Sequence, residues 1–458
     1  MFDWVKEVTM SSFTTVNPAT GEVLKTHEHL SWEKTEQAIL SAHKDFLVWR
    51  KYSFAERAKV ISQLATSLRL HKTEIAKQMN LEMGKLIEEG KAEVEKCAVT
   101  CDYYAKEAAG MLANQKSASP YAEAEVSFQP LGVVFSIMPW NFPLWQAIRF
   151  AAPTLMSGNV IVLKHADLTA GTAEIIGRIF DELTPDVKVL RNCQVDHEVA
   201  EKVIAHPLVR GVTFTGSTPG GKSVATAAAR NLKKVVLELG GSDAYLVLED
   251  ADVEWAAKAC AKTRLQNCGQ SCVAGKRFIV VEKVAKEFIS HLGNEMKQFE
   301  LAPLAAKKFQ EQIIMQVEKL KNWGGKVVLG GSAPQGVGAY YPATLVVFEK
   351  NNPELHREEV FGPVASVIVV KDSKEAVEVA NSSPYGLGGG VFTRNTHKGK
   401  ELIEKELEAG FVVVNDFVKS DPRIPFGGVK DSGYGRELGH FGITEFVNIK
   451  TVAVGGPQ

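Results

Sequence analysis

The sequence has no surplus of charge: 53 lysines and arginines stand against 54 aspartates and glutamates in 458 residues, a net charge of −1. A nucleic acid or an anionic membrane surface calls for a basic face that neutralises phosphates, and no such imbalance is present. Long apolar runs are missing too. None approaches the roughly 18–20 residues of a spanning helix. The opening MFDWVKEVTMSSF has no basic flank leading into an apolar stretch, so no signal peptide is apparent. Six cysteines in so long a chain do not make a disulfide framework. Cys97 and Cys101 are spaced for one helix face, but no second Cys/His pair completes a zinc site. They read as core thiols, and no metal is expected. These absences fit a reducing, cytoplasmic setting. Internal repeats, low-complexity segments and long polar linkers are also absent.

What is present is enough chain for two or three domains with large cores. TVNPATGEVLK (15–25) reads as strand, turn and strand. From Ser31 to about Leu112 the apolar spacing is helical. Ser31 with Lys34 makes a plain N-cap there, and Ser53 with Glu56 fits a capping box. ASPYAEAEVSFQ (118–129) alternates like an exposed strand pair. The character then changes. LGVVFSI (131–137), NVIVLK (159–164), VKVL (187–190), VRGVTFT (209–215) and KVVLEL (234–239) are apolar runs with helix-like stretches between them, as in parallel strands buried on both faces. A second alternating series runs from AYLVL (244–248) to FVVVN (411–415), and EFVNIKTVAV (445–454) returns to strand character. The expected fold class is α/β, with two tandem Rossmann-like parallel-sheet units.

Ligands of such sheets bind beyond the carboxyl ends of the strands. MPWNFP (138–143) follows the first buried strand, and Asn141 can donate a side-chain hydrogen bond to a developing oxyanion; the plainer alternative is a Pro-bounded turn. In LKHAD (163–167), Lys164 and Asp167 suit ribose hydroxyls, or merely line a solvated loop. FTGSTPGGKS (214–223) joins a strand through a Gly-rich turn to a helix start suited to phosphate. Gly216, Gly221, Lys222 and Ser223 satisfy the P-loop pattern. They follow the fourth strand of the unit rather than the first, however, and no strand-end Asp stands ready for magnesium, so a nucleotide triphosphatase is a remote alternative. Glu238 closes the apolar run KVVLEL, where desolvation would raise its pKa and suit a general base; capping a turn is the alternative. Cys272, in RLQNCGQSCVAGKRF, lies past a helix-like run (roughly Asp252 to Gln266) and just before a strand-like run. There it is either a nucleophile facing a cleft or a core filler. Cys268 is either its redox partner or a small apolar neighbour. PFGGVKDSGYGRE (425–437) is too Gly-rich for a regular element and reads as a loop wrapped near a cleft.

Taken together, PWNFP, VLKHAD, FTGSTPGG, LELGG, NCGQSC, EEVFGPV (358–364) and PFGGVKDSGYGRE resemble the NAD(P)-dependent aldehyde dehydrogenase superfamily, in the family's order and over nearly the whole chain. LKHA, LELGGSD and LQNCGQ look closest to the bacterial succinate-semialdehyde dehydrogenases. The resemblance implies Cys272 as nucleophile, an oxyanion site from the Asn141 amide and the Cys272 backbone N–H, and Glu238 as the activator of water. It implies cofactor contacts at Lys164 and Asp167 (adenosine ribose), Trp140 (nicotinamide end), Gly216, Ser217 and Gly221 (pyrophosphate), and Glu359 with Phe361 (nicotinamide ribose). The implied cofactor is NAD, because the Asp167 carboxylate repels a 2′-phosphate, with NADP tolerated. The implied organisation is a cofactor domain at 1–111 and 131–239, a catalytic domain at 240–432, and an oligomerisation arm at 112–130 and 440–458 that builds a homodimer or homotetramer. The implied reaction oxidises succinate semialdehyde to succinate; glutarate semialdehyde or a neutral aliphatic aldehyde are the alternatives. Arg149 matches an arginine that holds the distal carboxylate in similar enzymes, with a structural ion pair as the other reading. A second such arginine is replaced by Gln266, and Ser420 is a candidate helper. Phe150 stands where many relatives carry a relay lysine, which leaves Glu437 as support for its loop.

Overall fold

The computed structural model of the protein describes residues 11–456. The opening MFDWVKEVTM, whose lack of a signal-peptide pattern was noted from sequence, lies outside them. Two large sheets organise the chain. The first has six strands in the order Gly433–Tyr434, Lys234–Glu238, Val209–Thr215, Val133–Met138, Val160–His165, Leu190–Asn192. All pair in parallel except Gly433–Tyr434, which runs antiparallel beside Glu238. The order reverses between Val133–Met138 and Val209–Thr215. Their crossover helices leave on opposite faces of the sheet, and the gap between them is a ligand crevice at the carboxyl ends. MPWNFP and GSTPGG are the two segments that leave those ends.

The second sheet has seven strands: Lys326–Leu329, Thr344–Phe348, Val364–Val370, Gly275–Val281, Asp243–Val247, Gly388–Phe392 and Phe411–Val414. It is parallel except for its Lys326–Leu329 edge, which pairs antiparallel. The last strand of the first sheet ends at Glu238 and the first strand of the second begins at Asp243. The carboxyl edge of one sheet therefore faces the amino edge of the other, and loops that precede strands of the second sheet line the seam.

A third, antiparallel sheet joins Val447–Val454 to Glu123–Pro130, and that strand to Gln115–Lys116. The long strand is exposed beyond Val447. At the other end of the chain, Ser12–Val16 and Val23–Glu28 form a separate hairpin.

Four helices, Trp32–Trp49, Phe54–Leu70, Lys72–Met83 and Ile87–Met111, pack around the first sheet. Ser31 caps the first through the Lys34 amide, and Ser53 with Glu56 forms the reciprocal capping box of the second. The helix Pro143–Met156 is buried along its whole length. Proline is tolerated at its first position because that N–H would have no intrahelical partner. Every polar side chain on this helix must find its partner inside the protein, which makes Gln146 and Arg149 informative. No helix among the described residues is long and apolar enough to cross a membrane.

Candidate active site

The loop that carries Cys272 is built by strain and by buried cations. The helix Val253–Leu265 starts at an Asp252 cap and ends where Asn267 and Cys268 turn left-handed, at φ of 56° and 54°. This region is uncommon for residues with a side chain. Gly269 continues the turn at φ 71°, and a β-carbon there would sit 2.3 Å from the Gly362 carbonyl oxygen, so only glycine fits. Arg264 donates to the Gly269 carbonyl at 2.6 Å and to the Gly275 carbonyl at 3.2 Å. Lys276 donates to the Cys272 carbonyl at 2.6 Å and the Ser271 carbonyl at 3.0 Å. Both cations are fully buried, so the loop is held in one geometry.

Asn141 is fixed from the other side. Its Nδ2 donates to the Gln270 carbonyl at 3.1 Å, which leaves one amide hydrogen free. Its own carbonyl accepts from Asn267 Nδ2 at 2.8 Å and Lys85 Nζ at 3.0 Å. Lys85 is ion-paired with Glu93. Glu93 also accepts from the backbone N–H groups of Leu144 and Trp145 at 3.0 and 2.9 Å, a carboxylate at a helix N-terminus.

Two cavities meet at Cys272, with Gln146 on the wall of both. One, of about 250 Å³, is lined by Asn141, Glu238, Trp140, Gly216 and Ser217, and by Glu359 and Phe361. Trp140 stacks on Phe309 at 4.6 Å and meets Phe361 edge-on at 5.9 Å, which makes a flat apolar wall. Glu359 accepts from the Gly241 N–H at 3.0 Å. A β-carbon at Gly240 would strike its carboxylate at 2.3 Å. The other cavity, of about 240 Å³, is lined by Arg149, Ser420, Lys96, Trp145 and Phe426.

Burial dominates the electrostatics. The Cys272 thiol is pushed up to about 11 by desolvation, with Arg149 and Lys276 pulling it down and Glu238 adding to the rise. Glu238 is 2% exposed, finds no donor among the described residues, and is held well above the usual carboxylate range by burial and then by Glu437. Glu437 is raised by burial as well, against the lowering charge of Arg149. Burial therefore biases Glu238 toward its neutral, protonated form, so it accepts a proton only when ionised, while the Glu437 carboxylate is kept as the partner of Arg149.

The structure brings Cys272, Asn141 and Glu238 to one cavity wall with Trp140, Gly216, Ser217, Glu359 and Phe361. Lys164, near the end of the strand Val160–His165, and Asp167, just after it, do not line that cavity. Asp167 is not free there: His29 Nε2 meets it at 3.2 Å, Gln194 Nε2 donates to it at 2.6 Å and Lys164 lies 3.9 Å away. Gly221 does not line the cavity but packs against Leu239, which does: a β-carbon there would come within 2.4 Å of the Leu239 side chain. It lets the helix Thr218–Arg230 approach the strand. Ser217 caps that helix through the Gly220 N–H. Lys222, the P-loop look-alike, points to solvent and pairs with Asp431 at 3.5 Å.

Arg149 does line the cavity behind Cys272, but its charge is already met. Its guanidinium is in ionic contact with Glu437 and lies over the Phe426 ring at 5.1 Å. The expectation that this charge waits for a substrate carboxylate meets an existing buried ion pair between elements far apart in sequence. Ser420 is in the same cavity. Cys268 is 2% exposed and pushed up to about 12 by burial, which is the small apolar neighbour rather than a redox partner. Among the described residues no cluster of metal-ligating side chains occurs. Sequence reading missed Lys96, Lys85, Glu93 and Lys276. The first three sit in LEMGKLIEEGKAEVEK (81–96), where mixed charge at helical spacing reads as a solvated face.

Two parallel sheets facing edge to edge, with a cysteine loop at the seam and a flat-walled cavity beside it, define the class of aldehyde-oxidising dehydrogenases that use a nicotinamide nucleotide. The chain belongs to the aldehyde dehydrogenase family, which matches residues 4–452. It is 42% identical over 451 residues to a probable NADP(+) succinate-semialdehyde dehydrogenase of Synechocystis sp., covering 96% of this chain and 99% of that one. It is 38% identical over 447 residues to the NAD(P)+ succinate semialdehyde dehydrogenase Sad of Escherichia coli, covering 95% and 96%. The crystal structure of succinic semialdehyde dehydrogenase from Streptococcus pyogenes with NADP+ superimposes with a TM-score of 0.93, at 36% identity and over 97% of this chain and 100% of that one.

Proposed function

We propose that the protein oxidises succinate semialdehyde to succinate with NAD(P), through a covalent intermediate on Cys272. The observation that carries this reading is that Cys272 belongs to two cavities at once. The one beside Trp140, Phe361 and Glu359 is the proposed seat of a nicotinamide ring, and the other that of a short aldehyde. The names of the relatives supply the substrate.

The thiol is protonated at neutral pH, so it must lose its proton as Sγ attacks the aldehyde carbon. That proton leaves to water in the cavity, and Glu238 is kept for the later hydrolysis. The carbonyl oxygen becomes an oxyanion, met by the free amide hydrogen of Asn141 and the Cys272 backbone N–H. NAD(P), when bound, supplies the hydride acceptor for the tetrahedral carbon. Loss of hydride restores the carbonyl and leaves a thioester on Cys272. Glu238 then takes a proton from water as its oxygen adds to the thioester, the C–S bond breaks, and succinate leaves. Lys164, Asp167, Gly216, Ser217 and the start of the helix Thr218–Arg230 would hold the rest of the dinucleotide, with Gly221 acting through packing. Asp167 disfavours a 2′-phosphate, but His29 and Gln194 share its charge, so NAD is the preferred cofactor and NADP a tolerated one.

All six cysteines are free thiols, which supports a reducing, cytoplasmic setting. The strand Val447–Val454 exposes Ile449, Val452 and Val454 at 61, 41 and 52%, which supports a role for the three-stranded sheet as an arm that joins copies into a homodimer or homotetramer. The direct test is absorbance of reduced nicotinamide on mixing protein, cofactor and succinate semialdehyde. Turnover that disappears in Cys272→Ala supports the reading. A wild-type protein inert with every short semialdehyde refutes the substrate.

A further inference from the structure

The cavity behind Cys272 contains a cation that, among the described residues, has no carboxylate in ion-pair contact, although Glu93 and Asp421 act on it from further away. Lys96 projects from the helix Ile87–Met111 into the wall shared with Cys272, Arg149 and Ser420. Its Nζ donates to Ser420 Oγ at 2.7 Å and lies 4.0 Å from the centre of the Trp145 ring. The neighbouring cations are taken: Arg149 by Glu437, Lys85 by Glu93 and Lys419 by Asp416. Glu89, the other acid on this wall, accepts from the Asn267 N–H at 2.9 Å. Among the described residues no carboxylate lies within ion-pairing distance of Lys96. Burial, and then the charge of Arg149, hold its amine down at about 8. That is the state of an ammonium which an arriving anion would stabilise.

We propose that Lys96, together with the Ser420 hydroxyl, binds the distal carboxylate of the substrate and so sets the preference for a carboxylate-bearing aldehyde over a neutral one. The proposal rests on Cys272 as the nucleophile at the other end of the same cavity. The Arg149–Glu437 pair is neutral as a unit and attracts an anion weakly. Lys96 supplies the net positive charge and has donors to spare beyond Ser420. Ser420 accepts from Lys96, so its own O–H is free to donate to the same carboxylate. A charge-assisted contact of this kind discriminates against an uncharged analogue far more than lost apolar area would.

The test compares kcat/KM for succinate semialdehyde with that for butanal, its uncharged counterpart of equal carbon count. Lys96→Met is expected to lower the ratio of the two about 10- to 100-fold, mainly through KM for the semialdehyde. Lys96→Arg restores part of it and Ser420→Ala lowers it less. A ratio unchanged in Lys96→Met overturns the proposal. A wild type that does not prefer the semialdehyde to butanal refutes the substrate reading instead. In that case, or if Lys96→Met does not fold, labelling of wild-type Lys96 by an amine-acylating reagent decides, read by peptide mass. Protection by succinate but not by butanamide supports the anchor, and equal labelling with and without succinate overturns it.

Discussion

Glu238→Gln changes one atom type on a cavity wall, and the structure assigns it two separable effects. The first is chemical. With no base to activate water, the thioester on Cys272 accumulates. The expected record is a burst of about one reduced nicotinamide per site, followed by a steady state slowed about 10²- to 10⁴-fold, the usual contribution of a positioned base. Denatured enzyme quenched after the burst carries the acyl group on the peptide that contains Cys272. The second effect is on stability. Glu238 has its folded pKa raised by burial. Its contribution is therefore fully present below the ordinary carboxyl pKa and is lost as pH rises through the folded value, because folding then requires either an unpaired buried charge or a retained proton. Gln carries no such charge. An unsatisfied buried group of this kind costs about 1–3 kcal/mol, so the variant should match the wild type in thermal unfolding near pH 5. Near pH 8.5 it should exceed it, by roughly 1 °C for each kcal/mol in a chain of this length. A variant with unchanged kcat, or with neither burst nor acyl adduct, refutes the assignment of Glu238 as base. A variant that melts below the wild type at both pH values refutes the account of its burial.

Three further outcomes follow from the same geometry. With the Cys272 thiol at about 11, alkylation of the apoenzyme by iodoacetamide should rise about tenfold per pH unit between roughly pH 7 and 10; a flat profile refutes the raised thiol. Asp167→Ala should raise kcat/KM for NADP relative to NAD by about tenfold or more, as a charge next to the 2′-position is removed; an unchanged cofactor ratio places Asp167 away from the ribose. Lys222→Ala removes an exposed pair worth about 0–1 kcal/mol and should leave the dehydrogenase constants within about twofold; loss of a magnesium-dependent ATP hydrolysis in that variant would revive the P-loop reading.

Apolar runs made the strands legible because both faces of a parallel sheet are covered. VRGVTFT coincides with the strand Val209–Thr215, and KVVLEL and AYLVL fall within a residue of theirs. VKVL did less well. The ladder strand is Leu190–Asn192, although Val187 and Val189 are buried and the Val189 carbonyl accepts from Ile161 at 2.8 Å. At a sheet edge, burial and strand pairing separate, and an apolar run reports the first. The antiparallel edge Lys326–Leu329 lies in a stretch of mixed polarity and left no such mark. At the site, the loop glycines, Asn141, Glu238 and Cys272 were visible because each breaks its local pattern: a polar group closes an apolar run, or a Gly-rich turn follows a strand. Lys96 breaks nothing. A lysine on a long charged helix fits solvent as readily as a cavity, and only the Trp145 ring and Ser420, brought in from distant segments, show which it is. The contact of Arg149 with Glu437 was unreadable for the same reason, since it joins a buried helix to the final loop.

The loop 425–437 reaches back over Glu238: Gly433 pairs with it in the ladder, and a β-carbon at Gly427 would come within 2.9 Å of its carboxyl oxygen. Translation makes that covering long after the strand beneath it. The surroundings that raise the proton affinity of this acid are therefore completed only by the last loop of the chain.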